Sequence, residues 1–126
     1  MDLHDLEIYK IARKISADAW IIYDAFEWQT KKIIGDQWIT AVDSIAANIA
    51  EAFGRYHYLD KNKFHFNARG SLFEALHWTE TLHERGKISS EQAEQFTQDF
   101  HNLGIKLNNL IAKLRADASA NHNKSL

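Results

Sequence analysis

The sequence contains no cysteine and no proline, and it has only five glycines among 126 residues. Without cysteine there is no disulfide framework, no thiolate metal site and no cysteine nucleophile. Because strand-rich domains need frequent turn residues, the scarcity of glycine and proline predicts long helices joined by few connections. The length is that of a single domain with a core of its own.

Long apolar runs and a strong excess of one charge are also missing. No run approaches the roughly 20 residues that a membrane-spanning helix needs. The first ten residues, MDLHDLEIYK, lack the basic and apolar regions of a signal peptide, so we expect a soluble cytoplasmic protein. The formal charge is −2, whereas proteins dedicated to nucleic acids usually carry a basic excess.

Four segments show the apolar period of an α-helix. The first is predicted over residues 5–32, and the second over residues 36–53, after a break at Gly35 and a cap at Asp36. Gly54 is expected to end the second helix in a left-handed conformation. The inward stripes of these two helices are Ile8, Ala12, Ile15, Ala19, Ile22 and Phe26, and then Trp38, Ala41, Ile45, Asn48 or Ile49, and Ala52.

The third helix is predicted over residues 60–85, with Asp60 as its N-cap and Gly86 as its stop. The fourth opens with SSEQ from Ser89, the pattern of a capping box. The stripes are Phe64, Ala68, Leu72, Ala75, Thr79 and Leu82, and then Phe96, Phe100, Leu103, Leu107, Leu110 and Leu114.

Together the four helices predict an all-α fold, an antiparallel up-down-up-down four-helix bundle over residues 1–116. Residues 117–126 have little apolar content and are predicted to form a disordered tail.

More apolar surface is present than one bundle needs to bury. Large exposed apolar patches usually mark contacts, and aromatic side chains anchor interfaces. We therefore expect a homo-oligomer, with wider burial inside a monomer as the alternative. The candidate interface residues are Tyr9, Trp20 and Tyr23 in the first helix, and Phe66, Phe73 and Leu76 in the third.

Two segments rich in small residues are predicted to bring the second and third helices close together. They are SIAANIAEAFGR, residues 44–55, and ARGSLFE, residues 68–74. Gly70 lies in mid-helix, at a cost of about 1 kcal/mol against alanine, and is expected where two backbones come close. Asn48 is expected to bond a backbone group or the hydroxyl of Ser71, and so to fix the register of the two helices.

Charged residues near these segments allow a structural and a functional interpretation. The carboxylate of Glu51 is expected to pair with Arg55 or Arg69. Basic residues alternate with aromatic ones around the connection between the second and third helices, and such mixtures can hold phosphates and stack bases. The alternative interpretation is therefore a nucleic-acid surface made of Arg55, Lys61, Lys63 and Arg69.

The two small-residue segments together resemble the motif pair of the four-helix-bundle proteins encoded in 23S ribosomal RNA intervening sequences. That family includes the accessory variability determinant proteins of diversity-generating retroelements. The resemblance covers about residues 5–115. The matching positions are Gln37, Ser44, Ile45, Asn48, Ile49, Ala50, Glu51, Phe53, Gly54 and Arg55, and Ala68, Arg69, Gly70, Ser71, Leu72 and Glu74.

The resemblance implies a four-helix bundle that assembles as a homopentameric ring. In the retroelement branch it also implies a reverse-transcriptase partner and a basic surface for nucleic acid. The sequence departs from the family pattern at Ala46, usually proline, and at Ala52, usually glycine, and it has Ile39 and Thr40 where many members carry two arginines. The missing arginines and the net charge of −2 weigh against nucleic-acid binding.

The sequence gives less support to a metal site or an enzyme active site than to the two interpretations above. Glu74 with His77, and Glu80 with His83, have the Glu-x-x-His spacing of di-iron bundles, but both pairs lie on one helix. No nucleophile elbow, P-loop or dinucleotide motif occurs. We assign no metal, no cofactor and no catalytic residue.

The leading prediction is a non-enzymatic, oligomeric interaction or scaffold protein. The alternatives are an accessory protein that binds RNA or a reverse transcriptase, and a metal-binding bundle.

Overall fold

The computed structural model describes the backbone of residues 1–125 and the side-chain surroundings of residues 1–121. A short 3-10 turn, Leu3–Asp5, precedes the first long helix. Residues 1–125 contain four long helices and no strand: α1 Glu7–Asp24, α2 Asp36–Phe53, α3 Tyr58–Glu84 and α4 Ser90–Ser125.

The helices form a bundle in which each packs against the next and α4 returns to α1. Lys106 near the middle of α4 lies 2.9 Å from Glu7 at the start of α1, whereas Asp99 lies 3.9 Å from Lys14 further along α1. Since the later residue of α4 meets the earlier residue of α1, these two helices are antiparallel. The predicted all-α four-helix bundle is confirmed.

The junction between α1 and α2 differs from the expected one. Helix α1 ends at Asp24 instead of continuing to residue 32, and a new helical turn begins at Trp28. This turn leads through a π-helical segment, Lys31–Gly35, into α2 without a break. The predicted break at Gly35 and cap at Asp36 are therefore wrong.

Gly35 serves close packing and not a turn. Its backbone is right-handed helical, with φ −59°. A Cβ added there would lie 3.2 Å from Cδ2 of Phe26 and 3.3 Å from Cδ2 of Tyr23. Tyr23 also donates a hydrogen bond to Asp36, which raises the pKa of the tyrosine hydroxyl. The aromatic side chains at the end of α1 thus press directly on the backbone that enters α2.

The helix ends around the connection from α3 to α4 agree with the sequence prediction. Gly86 has φ +71° and is the only residue with positive φ among residues 1–125. The N–H of Ser89 donates to Oε1 of Gln92 at 2.8 Å, and the N–H of Gln92 donates to Oγ of Ser89 at 3.0 Å. The stop at Gly86 and the capping box at Ser89 are both confirmed, and the left-handed conformation of Gly86 is a finding of the structure.

At the opposite end of the bundle, the ends of α2 and α3 differ from the sequence prediction, which gives Gly54 a left-handed conformation and makes Asp60 an N-cap. Gly54 has φ −76° and stays right-handed, because the terminal carbonyls of α2 find a donor elsewhere. The ammonium of Lys61 donates to the backbone oxygens of Ala52 at 3.1 Å and Phe53 at 3.2 Å. The predicted N-cap Asp60 lies within the first turn of α3, which starts earlier, at Tyr58.

The core is centred on Trp38, which is completely buried. Its indole packs edge-on against Phe96, with ring centroids 5.5 Å apart, and its N–H donates to Oγ1 of Thr79 at 2.9 Å. The predicted stripes supply most of the buried side chains. The core residues that they contribute are Ile8, Ala12, Ile15, Ala19, Trp38, Ala41, Ile45, Ile49, Ala52, Ala68, Leu72, Ala75, Leu82, Phe96, Phe100, Leu103 and Leu107.

Two features differ from the sequence prediction, one near the start of α3 and one at the end of α4. Phe64 is only partly buried, and the inward positions there belong to Asn62 and His65. Residues 117–125 continue α4 as helix, where a disordered tail is predicted, and no glycine or proline interrupts the helix there. Residue 126 lies outside the described residues. Within residues 1–121, however, the last buried residue is Ile111, so residues 117–121 lie outside the core.

Candidate interaction surfaces

The first small-residue segment, residues 44–55, links α2 to α3 through hydroxyl and amide groups. The side-chain amide of Asn48 donates to the backbone oxygen of Ser44 at 2.9 Å and to its hydroxyl at 3.1 Å. The hydroxyl of Ser71 on α3 donates to the same Ser44 hydroxyl at 2.9 Å. Asn48 thus bonds a backbone group, as predicted, and reaches Ser71 through Ser44, a residue that the sequence analysis did not place in the network.

Glu51 belongs to a different environment. It forms an ion pair with Arg55, one turn along the same helix, with an N–O distance of 2.5 Å. Of the two predicted partners, Arg55 is the one found. Because the pair lies within α2 and is about half exposed, it supports the helix end and does not set the register between helices.

Gly70 does not sit where α2 and α3 approach each other. It is exposed, and a Cβ built on it would meet no atom within 4 Å apart from its own helix. The predicted close approach at Gly70 is wrong. Helix α3 turns Ala68 towards its neighbours and Gly70 outwards, because residues two positions apart on a helix lie on nearly opposite sides.

The predicted interface residues divide into three groups. Trp20, Phe66 and Phe73 expose 52%, 40% and 57% of their surface. Tyr23 and Leu76 are half-buried and pack against the core. Tyr9 is 9% exposed and is part of the core itself, so the predicted exposed stripe on α1 does not include it. Further exposed apolar side chains that sequence periodicity did not single out are Ile21, Trp28, Ile33, Leu59 and Ile105.

An apolar groove lies between α3 and α4. Its volume is about 240 Å³, and Leu72, Phe73, Leu76, Phe100 and Ile105 form most of its walls. Arg69 and His101 stand at its polar edges. Two of the predicted interface residues therefore line one continuous concave surface.

A second groove, of about 270 Å³, lies between α1 and α2 on the other side of the bundle. The small side chains of Ala46, Ala47 and Ala50, all from the first small-residue segment, line it on α2, and Tyr9 lines it on α1. Arg13 and Asp43 line opposite walls, one on each helix. The hydroxyl oxygen of Ser16, which also lines this groove, is buried and has no hydrogen-bond partner.

The four predicted cations occupy unequal environments. Lys61 caps the carbonyls at the end of α2, and Arg55 is held by Glu51. Arg55 also lies over the ring of Phe64, at 4.7 Å from its centroid, with Lys63 on the same ring at 5.7 Å.

Arg69 lies 5.9 Å from the centroid of Phe73, along the outer face of α3. The structure thus gathers Arg55, Lys61 and Lys63 around one connection and places Arg69 further along the helix.

His65 and Asn62 form a buried polar pair that sequence periodicity did not reveal. The ring Nδ1 of His65 lies 3.0 Å from Oδ1 of Asn62, whose amide donates to the backbone oxygen of Ile111 on α4 at 3.3 Å. Burial, and then the positive charge of Lys61, lower the pKa of His65 to about 4. The sequence offers one indication of this pair, which is that two polar residues occupy positions of α3 that face the core.

The metal alternative finds no support among residues 1–121. No group of three or more histidine, aspartate or glutamate side chains there is placed to hold an ion. Nε2 of His83 lies 3.0 Å from the Ser90 hydroxyl, and the ring of His77 packs edge-on against Trp78. Glu74 and Glu80 point away from the core and are exposed.

The family model described as 23S rRNA-intervening sequence protein matches residues 4–109. The chain belongs to this family. The match spans α1, α2, α3 and more than half of α4, so it includes both small-residue segments and the network of Ser44, Asn48 and Ser71.

Solved structures confirm the fold of this family member. A protein of unknown function from the S23 ribosomal protein family of Bacteroides thetaiotaomicron superposes with a TM-score of 0.77. The two sequences are 22% identical, and the superposition covers 82% of this chain and 97% of the other. No protein with curated annotation matches the chain. None of the helices described here is long and apolar enough to cross a membrane.

Proposed function

We propose that this family member is a homo-oligomeric scaffold without catalytic activity. The observation that carries the proposal is the outer face of α3, where Phe66 and Phe73 are exposed beside the apolar groove that continues to Ile105 on α4. Aromatic side chains at the rim of an apolar groove are typical anchors of protein interfaces. The resemblance to the family adds the expectation of a pentameric ring.

A ring of bundles would present several copies of one polar surface to a larger partner, which raises the strength of weak contacts through multivalency. The apolar groove between α3 and α4 is small and has only Arg69 and His101 as titratable lining residues, whereas several such groups converge in an enzyme active site. The side chains that line this surface therefore support a scaffold function better than a catalytic one.

Light scattering coupled to size-exclusion chromatography tests the proposal. At micromolar concentration the wild-type chain should elute as a multiple of its 14.6 kDa mass. The double variant Phe66→Ser and Phe73→Ser should shift towards one chain, because two anchors of the interface are lost. The matched control is Tyr56→Ser, which removes a 90% exposed aromatic outside this face and should leave the mass unchanged. A wild-type monomer would contradict the proposal.

Nucleic-acid contact is the second candidate function. The placement of Arg55 and Lys63 against the ring of Phe64 favours it, since mixtures of cations and aromatic rings can accept phosphates and bases. The engagement of Arg55 with Glu51 and of Lys61 with helix carbonyls weakens it, because a phosphate would have to compete with these partners. A reverse transcriptase would be the protein partner in this case.

Anisotropy titration with labelled single- and double-stranded RNA at two salt concentrations tests this candidate. Binding should weaken as salt rises, and Lys63→Ala should lower the salt dependence by about one phosphate contact. Lys87→Ala, at the opposite end of the bundle, is the control and should have no effect. Absence of binding at low salt would reject nucleic-acid contact.

A further inference from the structure

Gly70 is unexplained within a single chain. It lies in the middle of a 27-residue helix, where glycine costs about 1 kcal/mol relative to alanine. A Cβ at this position would meet no atom of another helix, so no contact inside the bundle requires its absence. On the same outward face, one turn before and one turn after, stand the exposed rings of Phe66 and Phe73. The outer face of α3 thus has a recess between two aromatic projections.

The groove between α1 and α2 has the opposite shape. It has a volume of about 270 Å³, and its α2 side is formed mainly by the small side chains of Ala46, Ala47 and Ala50. A helix carrying aromatic projections can therefore lie close to the backbone of α2. A helix lying in this groove would cover the exposed side chain of Ala47.

The charges on the two surfaces are also complementary. On α3, Arg69 and Glu74 stand on opposite flanks of the outward stripe, and both are exposed. In the groove, Arg13 stands on the α1 wall and Asp43 on the α2 wall. A helix lying along the groove can therefore set Arg69 against Asp43 and Glu74 against Arg13.

We propose that α3 of one copy, through Phe66, Gly70 and Phe73, docks into the α1–α2 groove of the next copy. This inference rests on the proposed self-association and names the surfaces that carry it. Because the two surfaces differ, the contact is heterologous, and each copy has one free surface of each kind until a ring closes. The two small-residue segments then meet between chains, with the alanines of α2 beneath the glycine of α3.

A charge exchange tests the pairing of the surfaces. Arg69→Glu alone and Asp43→Arg alone should each weaken association at least about tenfold, since each places like charges together. The chain that carries both changes should recover most of the wild-type mass, because the pair is restored with its signs exchanged. If the double variant is no better than the single ones, or if neither single change weakens association, the pairing is wrong.

Complementation between two blocked chains tests the heterologous geometry. Gly70→Trp fills the recess on α3 and leaves the groove open, whereas Ala47→Trp fills the groove and leaves α3 open. Each variant alone should be monomeric, and their equimolar mixture should form a two-chain complex through the one remaining pair of surfaces. If the mixture also stays monomeric while each variant keeps the wild-type helical content, the two faces do not pair with each other.

Gly70→Ala separates folding from association. Alanine at this open helical position should raise the thermal midpoint of a monomeric background such as Ala47→Trp by a few degrees. If the wild type is oligomeric but the charge and blocking variants do not change its association, only the proposed pairing of surfaces is rejected. If the wild type is monomeric, self-association itself is rejected.

Discussion

At the residue scale, the most consequential side chain in the core is that of Thr79. Its hydroxyl accepts the indole N–H of Trp38 at 2.9 Å and donates to the backbone oxygen of Ala75 at 2.7 Å. Thr79→Val keeps the shape but leaves the buried indole N–H without a partner. We expect a loss of about 1–3 kcal/mol in the free energy of unfolding, measured by urea titration.

Thr81→Val is the matched control for this experiment. Thr81 makes the same bond to the backbone oxygen four residues earlier, at 3.1 Å, but near the surface. It should cost less than about 0.5 kcal/mol. Equal losses in the two variants would show that the bond to Trp38 has no special weight.

A second residue-scale prediction concerns pH. The pKa of His65 is lowered to about 4 by burial and by Lys61, so the folded chain resists a proton that the unfolded chain accepts near pH 6.5. The associated stability is present above pH 6.5 and is lost as the pH falls from 6.5 towards 4. Between pH 7.5 and pH 5 the loss should be roughly 2 kcal/mol.

His65→Gln removes the titrating group and keeps a polar side chain next to Asn62. Urea titrations of both proteins at the two pH values give the comparison, in which the other histidines cancel. The wild type should lose more stability than the variant on acidification. Parallel losses would mean that His65 is protonated as easily in the folded chain as in the unfolded one.

Residue partners were predictable where they lie one helical turn apart. Asn48 bonds a backbone group and Glu51 meets Arg55, as the local spacing indicates. Partners on other helices depend on rotation of each helix about its axis, which periodicity fixes only coarsely. For this reason Gly70 was expected inside and lies outside, while Ser44 was not recognised as the link to Ser71.

At the element scale, the glycines of the bundle should respond oppositely to the same substitution. At Gly35, an added Cβ would lie 3.3 Å from the backbone oxygen of Thr30 as well as against Phe26 and Tyr23. Since the backbone oxygen cannot rotate away, Gly35→Ala should lower the free energy of unfolding by about 1 kcal/mol.

Gly104 provides the control, because a Cβ there would meet only Cδ1 of Leu72, at an ordinary 3.9 Å. Gly104→Ala should therefore raise stability by up to about 1 kcal/mol through helix propensity. Both effects are read from thermal or urea unfolding. A stabilising Gly35→Ala would show that the connection from α1 yields easily.

The helices themselves could be predicted from the apolar period, whereas their ends depend on individual residues and on packing. The capping box at Ser89 and the stop at Gly86 were found where their residue patterns indicate. The passage through Lys31–Gly35 was missed, since a π-helical segment has no residue signature of its own. A glycine followed by aspartate normally ends one helix and caps the next, and here the packing of Phe26 and Tyr23 overrides that preference.

At the scale of the whole molecule, the bundle was predictable because four amphipathic helices with short connections have few ways to bury their stripes. The family followed from the two small-residue segments. The assembly cannot be predicted in the same way, because an interface between copies depends on the surfaces that a single chain leaves exposed. Exposed phenylalanines on α3 and a groove between α1 and α2 that alanines line on one side indicate such surfaces.

Native mass spectrometry of the wild-type chain at micromolar concentration addresses the assembly most directly. The proposed ring predicts one dominant species at a fixed multiple of 14.6 kDa, five chains if the family resemblance holds in full, with little of any intermediate size. A spectrum in which the single chain predominates at every concentration would contradict the scaffold proposal and, with it, the docking of α3 on a neighbouring copy.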